Sequence, residues 1–150
     1  MLFRSRLGIG SGIAQRIARL GTRYRPLAAL ADAVQIVRGL LRHETVTHRG
    51  RAFSADRVAL EFAASRPEMP IHLAAMADRS LALCGRLADG LIVSNLCPPA
   101  YTARAVGIVR ESAAAAGRES LDIVQYLPCA RRGRMAPRPG RLQKRLSARC

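Results

Sequence analysis

Residues 71–94, IHLAAMADRSLALCGRLADGLIVS, contain the clearest structural pattern in this chain of 150 residues. An apolar run at residues 71–76 precedes a segment of helical character at about 78–87, and a second apolar run follows at 90–94. Short apolar runs that alternate with helices are typical of βαβ units, in which helices cover a parallel sheet. We therefore predict an α/β protein built around a parallel sheet.

The same alternation continues on both sides of this segment. Towards the C-terminus we predict a helix at about 99–116 and a strand at 122–127. Towards the N-terminus, the segment ETVTHRGRAFS at 44–54 alternates with period two and predicts a small β-hairpin whose turn lies at Arg49-Gly50. The hairpin is an insertion between two βα units.

A strand at residues 6–9 and a helix from Pro26 complete the series. Proline fits the first turn of a helix, and apolar residues then recur at helical spacing. These residues are Leu27, Leu30, Val34, Val37 and Leu41. The intervening turn has the spacing Gly8-x-Gly10-x-Gly12 rather than G-x-G-x-x-G, and the acid Asp32 falls inside the predicted helix. A dinucleotide-binding Rossmann fold therefore remains only as an alternative.

The first candidate site segments are the turn Gly10-Ser11-Gly12 and the pair Ser94-Asn95. Both come at the ends of predicted strands, where the functional groups of parallel α/β barrels lie. Glycine lets a flat ring or a phosphate approach the backbone, although a tight turn would also require it. Ser94 and Asn95 can donate hydrogen bonds to a ligand or simply begin a loop.

The third candidate segment, residues 74–80, passes directly from a strand into a helix. Free N–H groups at such a helix start bind anionic groups, and Arg79 or Ser80 could add contacts. Asp78 has a second interpretation as the N-cap of the helix. Together the three segments indicate a site for a phosphate-bearing cofactor.

The sequence contains no pattern typical of a metal site or of a catalytic side-chain group. The four cysteines and three histidines form no CxxC, HxxH or HExxH pattern, so we expect no metal site. We interpret Cys84 on a helix face and Cys129 on a strand as buried free thiols, and His72 as a core histidine. Residue spacing reveals no carboxylate pair, catalytic triad or activated cysteine, so no catalytic residue is assigned.

The formal charge of +15 is concentrated at the two ends, because residues 1–31 and 131–150 contain no acid. We divide the chain into a domain at 1–130 and an Arg/Pro-rich tail at 131–150, which is disordered or translated out of frame from a GC-rich gene. The alternative is a basic arm that binds nucleic acid or a membrane surface. Without interleaved aromatics or a long apolar run, we expect no nucleic-acid or membrane partner and a soluble, cytoplasmic protein.

The ordered motifs resemble the luciferase-like monooxygenase superfamily, and within it the coenzyme F-420-dependent methylenetetrahydromethanopterin reductase-like group. The resemblance covers residues 7–130 and rests on four stretches of sequence. They are LGIGSG, YRPLAALADAVQIVRGLLRHETVTHRGRAF, MPIHLAAMADRSLALCGRLADG and LIVSN. The last two of these are one continuous stretch at residues 69–95. The resemblance implies a partial (β/α)8 TIM barrel, about strands 4 to 7 with their helices and a small hairpin insertion.

The resemblance also implies a cofactor, either coenzyme F-420 (a deazaflavin) or FMN, at the carboxyl ends of the strands. The residues that it maps onto the cofactor are Gly10, Ser11, Gly12, Ala75, Met76, Ala77, Asp78 and Arg79. Asn95 joins them from its place at a strand end. Relatives commonly carry a glycine-containing pair where this chain has Ala77-Asp78.

The implied activity is that of a flavin- or deazaflavin-dependent oxidoreductase, by hydride transfer or monooxygenation of a small-molecule substrate. A barrel of this type needs about 250 residues, and the first three strands, which supply catalytic residues in the family, have no counterpart in the match. We therefore expect a fragment that is inactive alone and is unstable or forms a homo-oligomer, because half a barrel exposes strand edges and its inner face.

Overall fold

The computed structural model describes residues 5–119 and 121–129. Strands and helices alternate along these residues, and one hairpin interrupts the series, which confirms the predicted α/β class. The strands are β1 (Leu7–Gly10), β2 (Val46–Arg49), β3 (Ser54–Val58), β4 (Ile71–Ala74), β5 (Gly90–Val93) and β6 (Asp122–Gln125). The helices are α1 (Ala14–Ala18), α2 (Pro26–Leu41), α3 (Asp78–Leu87) and α4 (Pro99–Ala115).

Four parallel strands form the main sheet in the order β1-β4-β5-β6, and β2 and β3 form a separate antiparallel pair. The register aligns Gly8 with His72, His72 with Gly90, and Gly90 with Asp122. Because all four strands run in the same direction, their carboxyl ends share one edge of the sheet. The loops that carry the candidate site segments leave from that edge.

The two faces of this sheet differ in burial. On one face, Ile71 and Leu73 of β4 and Leu91 and Val93 of β5 are at most 1% exposed. They form a continuous core with apolar residues of the helices, including Leu30, Val34, Leu81 and Val109. On the opposite face Gly8, Gly10, Ala74 and Asp122 are exposed, whereas His72 is buried against Asp122. Helices therefore cover one face of the sheet, while the other face is open.

The hairpin is attached to α2 by Asp32, which is only 7% exposed. One oxygen of its carboxylate accepts hydrogen bonds from the backbone N–H groups of Ala52 and Phe53 at 2.7 and 3.0 Å, and the other lies 3.0 Å from Nε2 of His48. Burial raises the pKa of Asp32, but these bonds, with the favourable charge of His48, outweigh it and the pKa is lowered overall. The bonds place the turn at residues 50–53, so the predicted turn at Arg49-Gly50 was too early.

Several predicted boundaries shift. The strand predicted at 71–76 ends at Ala74 and the one at 122–127 ends at Gln125, because the chain leaves the sheet for the loops at its carboxyl edge. Helix α1 was not predicted; it has five residues and no buried side chain, so it lacks the apolar face that reveals a helix in sequence. Cys129 is exposed beyond β6, so its interpretation as a buried strand thiol was wrong. The predicted tail at 131–150 lies outside the described residues.

Candidate functional site

A cavity of about 610 Å³ opens at the carboxyl edge of the parallel sheet. Its wall is formed by the ends of β1, β4 and β5 and by the loops that follow them. The lining residues are Gly10, Ser11, Gly12, Tyr24, Pro26, Ala74, Ala75, Met76, Ala77, Ser80, Ile92, Ser94 and Tyr126. The surface that they form is mostly apolar, with five hydroxyl-bearing side chains.

The cavity brings together the two main segments that the sequence singled out. They are more than sixty positions apart in the chain, and the pairing of β1 with β4 places Gly10 directly beside Ala74. The predicted residues that line the cavity are Gly10, Ser11, Gly12, Ala75, Met76 and Ala77. Residue spacing alone could not predict that these two segments lie side by side, because their proximity depends on which strands are neighbours in the sheet.

The remaining predicted residues, Asp78, Arg79 and Asn95, lie outside this lining. The carboxylate of Asp78 pairs with the guanidinium of Arg104 on α4 instead. Asp78 is the first residue of α3, and the N-cap position belongs to Ala77, whose side chain caps nothing, so the interpretation of Asp78 as N-cap was wrong. Asn95 is exposed and accepts a hydrogen bond from the Ser94 hydroxyl at 3.4 Å.

The sequence analysis did not predict two aromatic residues of the lining, Tyr24 and Tyr126. Tyr126 follows β6 directly, so the rule that located the other segments would have found it. Tyr24 precedes α2, and its hydroxyl donates a hydrogen bond to the carbonyl oxygen of Gly12 at 3.3 Å. No local signal marks that contact, because it joins two loops on either side of α1.

Local geometry explains the small residues of the cavity. Gly12 has a φ of +71°, a left-handed conformation that strains other residues. Gly10 has no such constraint: a Cβ there would lie 3.5 Å from the Cβ of Ala74, which is ordinary contact. Glycine at position 10 is therefore not required by the backbone, and a longer side chain on this open face would extend into the cavity.

The loop after β4 is held in place from α4. Tyr101 donates a hydrogen bond from its hydroxyl to the carbonyl oxygen of Met76 at 2.7 Å. Burial is the largest of the effects that raise the pKa of Tyr101, so the phenol remains a proton donor at neutral pH. This bond and the pairing of Asp78 with Arg104 attach the loop after β4 and the start of α3 to α4.

A second polar group lies at the opposite, amino-terminal end of the strands. His72 is 1% exposed, as expected of a core histidine, and its Nε2 lies 3.2 Å from the carboxylate of Asp122. Arg6 donates to the same oxygen at 2.6 Å. Burial raises the pKa of Asp122, but these two partners lower it by more. None of the three residues lines the cavity, so we assign them to the packing of the open face.

Within residues 5–119 and 121–129, no group of three or more His, Cys, Asp or Glu side chains is arranged to hold a metal ion. In the same part of the chain, no helix combines the length and the hydropathy needed to cross a membrane.

Comparison with known families supplies the context for this site. Residues 4–136 match the family model described as luciferase-like monooxygenase. The chain belongs to this family. The resemblance read from the motifs is thus confirmed, and the luciferase-like family is one of enzymes.

Curated relatives of the luciferase-like chain include two proteins whose names specify related chemistry. A 5,10-methylenetetrahydromethanopterin reductase of Archaeoglobus fulgidus is 29% identical over 82% of this chain and 37% of its own length. An F420-dependent glucose-6-phosphate dehydrogenase of Nakamurella multipartita is 29% identical over 81% of this chain and 38% of its own length. The luciferase-like chain therefore spans less than two fifths of the length of these relatives.

A solved structure extends the likeness to the fold. The coenzyme F420-dependent tetrahydromethanopterin reductase of Methanopyrus kandleri superposes with a TM-score of 0.70 at 19% identity, over 81% of this chain and 40% of that one. At this identity the likeness concerns the fold alone. The predicted fold, part of a (β/α)8 barrel, is confirmed by it.

Proposed function

We propose that the chain forms the cofactor-binding part of a coenzyme F420-dependent oxidoreductase, and that the 610 Å³ cavity holds the deazaflavin. The observation that carries the proposal is the composition of the cavity wall. Five lining residues are glycine or alanine, and they lie at the carboxyl ends of neighbouring parallel strands. Ligands of α/β barrels bind at that end.

The lining fits a flat, apolar ring system with polar substituents. Gly10 and Ala74 lie side by side and leave the sheet surface low enough for a ring to rest on it. Ser11, Ser80 and Ser94 provide hydroxyl groups around this surface. They can donate or accept hydrogen bonds at the polar edge of a ring.

The start of α3 suits the anionic end of the cofactor. No described side chain caps the first turn of this ten-residue helix, so its first N–H groups and the positive end of its dipole face the loop beside the cavity. The charge of Asp78 in that turn opposes an anion, but Arg104 neutralises it. Arg79 and Asn95 remain proposed contacts at the rim, reached by the parts of the cofactor that leave the cavity.

The names of the relatives favour the deazaflavin over FMN. When bound, this cofactor exchanges a hydride with an organic substrate. The chain's own residues then have three tasks: to support the ring at Gly10 and Ala74, to hold its edge through the serine hydroxyls, and to exclude water with Tyr24 and Tyr126. No catalytic residue is assigned.

Titration of the chain with coenzyme F420, followed by cofactor fluorescence, tests the proposal. We expect saturable binding to the wild type, weaker binding of FMN, and loss of F420 binding in Gly10→Leu, whose side chain would fill the cavity. Gly10→Ala is the matched control and should bind normally, because its Cβ makes only ordinary contact with Ala74. Circular dichroism checks that both variants fold. Equal F420 binding by Gly10→Leu and the wild type would refute the placement.

We further propose that the chain alone binds cofactor without turnover, and that it is unstable or self-associates. The exposed sheet face at Gly8, Gly10 and Ala74 is the inner face of a barrel, which further strands must close around a small-molecule substrate. A soluble monomer that reduces or oxidises a substrate with F420 would defeat this idea. The cytoplasm remains our proposed location.

The alternative, a basic module that uses the Arg-rich ends on nucleic acid or a membrane surface, gains no support from the relatives named above. The test is salt-dependent DNA binding by the chain with and without residues 131–150. A large loss of affinity on deletion would favour this alternative.

A further inference from the structure

A second cavity, of about 410 Å³, adjoins the first on the side of α1 and the hairpin. The two cavities share Ser11, Tyr24 and Pro26 in their walls. The other lining residues of this second cavity, here called the arginine cleft, include Ile17, Leu20, Arg23, Arg25, Arg51 and Phe53. Of its residues, only Ser11 and Tyr24, which lie in the shared wall, have a part in the cofactor placement described above.

The arginine cleft has an apolar floor that is open to solvent. Leu20 is 75% exposed and Phe53 is 48% exposed, although both face a concave surface. Ile17 and the ring of Tyr24 continue the same apolar surface. Large apolar side chains that remain accessible around a cavity favour the binding of an apolar group.

Its rim carries positive charge; the Asp32 carboxylate accepts hydrogen bonds from the backbone of Ala52 and Phe53 but does not itself line the cleft. Arg23, Arg25 and Arg51 contribute to the lining, and no acidic residue does. Among the described residues, none of these three arginines forms an ion pair with Asp or Glu. The Arg25 guanidinium donates to the Arg51 carbonyl at 3.0 Å, which ties the start of α2 to the hairpin turn and keeps the arginines together.

An apolar floor beneath a positive rim matches an amphiphilic anion. Guanidinium groups bind carboxylates in planar, two-point geometry, and the apolar floor accepts the stem that carries the carboxylate. A neutral lipid would leave the rim unused, and a cation would be repelled. A small inorganic anion would leave the floor exposed.

We propose that the arginine cleft binds an amphiphilic carboxylate, an anionic head on an apolar stem, and that this is the substrate class of the site. The assignment of substrate rests on the proposed function, because it requires the cofactor to lie in the adjoining cavity. Tyr24 stands between the two ligands: its hydroxyl donates to the Gly12 carbonyl and lies 3.4 Å from the Ser11 hydroxyl. A stem that reaches past Tyr24 brings its far end to the ring.

Calorimetric titration of the chain with decanoate, decanol and decyltrimethylammonium, each below its micellar concentration, tests the chemistry without any cofactor. We expect decanoate to bind most tightly, decanol more weakly and the cation least. Arg51→Gln should weaken decanoate binding about fivefold, the upper range for an exposed ion pair, and leave decanol binding unchanged. Leu20→Ala should weaken the binding of both.

Arg19→Gln is the matched control. It removes the same charge from the same part of the chain, but Arg19 does not line the arginine cleft. Equal losses of decanoate affinity in Arg19→Gln and Arg51→Gln would show that only the net charge of the chain matters, and would overturn the proposal. Equal affinity for decanol and decanoate would also overturn it.

A competition experiment distinguishes a substrate carboxylate from the acidic tail of the cofactor, since either anion could bind the arginines of the rim. With F420 at saturation, decanoate should bind with unchanged affinity. Mutual exclusion of the two would assign the arginine cleft to the cofactor tail and overturn the substrate assignment. Failure of the cofactor proposal would show separately, as absence of F420 binding while decanoate still binds.

Discussion

Replacing Asp32 with alanine should destabilise the chain by detaching the hairpin from α2. The carboxylate accepts two backbone hydrogen bonds and contacts His48, at distances between 2.7 and 3.0 Å. Hydrogen bonds to a charged acceptor contribute roughly 1.5 to 3 kcal/mol each. Because water can reach the partly exposed turn and replace some of the lost bonds, we use the lower value for the two backbone bonds. Asp32→Ala then costs about 3 kcal/mol.

For a chain of this length, such a loss lowers the melting temperature by roughly 6 to 12 °C. Urea denaturation at pH 7, followed by circular dichroism, measures the lost free energy of unfolding, and a thermal scan measures the melting temperature. Asp32→Asn is the matched control, because its amide oxygen can still accept both backbone bonds at lower strength. We expect it to lose less than half as much as Asp32→Ala. A loss below about 1 kcal/mol in Asp32→Ala, or equal losses in the two variants, would refute the reasoning.

The pH dependence provides an independent check. The pKa of Asp32 is lowered in the folded chain, since its hydrogen bonds and His48 outweigh the effect of burial. A lowered folded pKa contributes stability that is fully present above the unfolded value of about 4 and is lost as the pH falls through the folded pKa. The difference between the wild type and Asp32→Asn should therefore shrink below about pH 4. A difference that stays constant down to pH 2 would contradict the assigned role.

Two further predictions concern packing. Gly85→Ala should destabilise the chain by about 1 to 3 kcal/mol, because its Cβ would clash with the Val109 carbonyl oxygen where α3 meets α4. Gly107→Ala, on the exposed side of α4, should instead stabilise the chain by up to about 1 kcal/mol. Urea denaturation distinguishes the two variants, and equal effects would contradict the close helix contact. Burial raises the pKa of Cys84 to about 11, so iodoacetamide at pH 8 should label exposed Cys129 quickly and leave Cys84 unmodified until the chain unfolds. Mass spectrometry of the digested protein locates the label. Comparable labelling of both cysteines would show that the core is open.

Much of the fold could be predicted from local sequence. Apolar periodicity located α2, α3 and α4, and the short apolar runs located β4, β5 and β6. These signals are strong because each element buries one face against the core, which imposes a period of two or about 3.6 on neighbouring residues. Strand ends were predicted less well, because a chain leaves a sheet where its partner strand ends, and the partner is distant in sequence.

The candidate site divides in the same way. The turn at Gly10 and Gly12 was visible from its glycines, and the segment after β4 was visible because a strand passes there directly into a helix. The position of Asp78 was equally visible, but its partner Arg104 is 26 residues away, so the sequence could not distinguish a cap from an ion pair. Tyr24 was missed because its hydrogen bond with Gly12 joins two different loops, which local sequence does not reveal.

The sequence by itself thus determined the order of βα units, the family and the loops that could hold a cofactor. Only the tertiary structure decided which of those loops meet, that one sheet face is open, and that three arginines with no acidic partner among the described residues surround an apolar cleft beside the cavity. The physical reason is the range of the forces involved. Periodicity records how each element faces the core, whereas a cavity is made by side chains that approach each other only after the strands have paired.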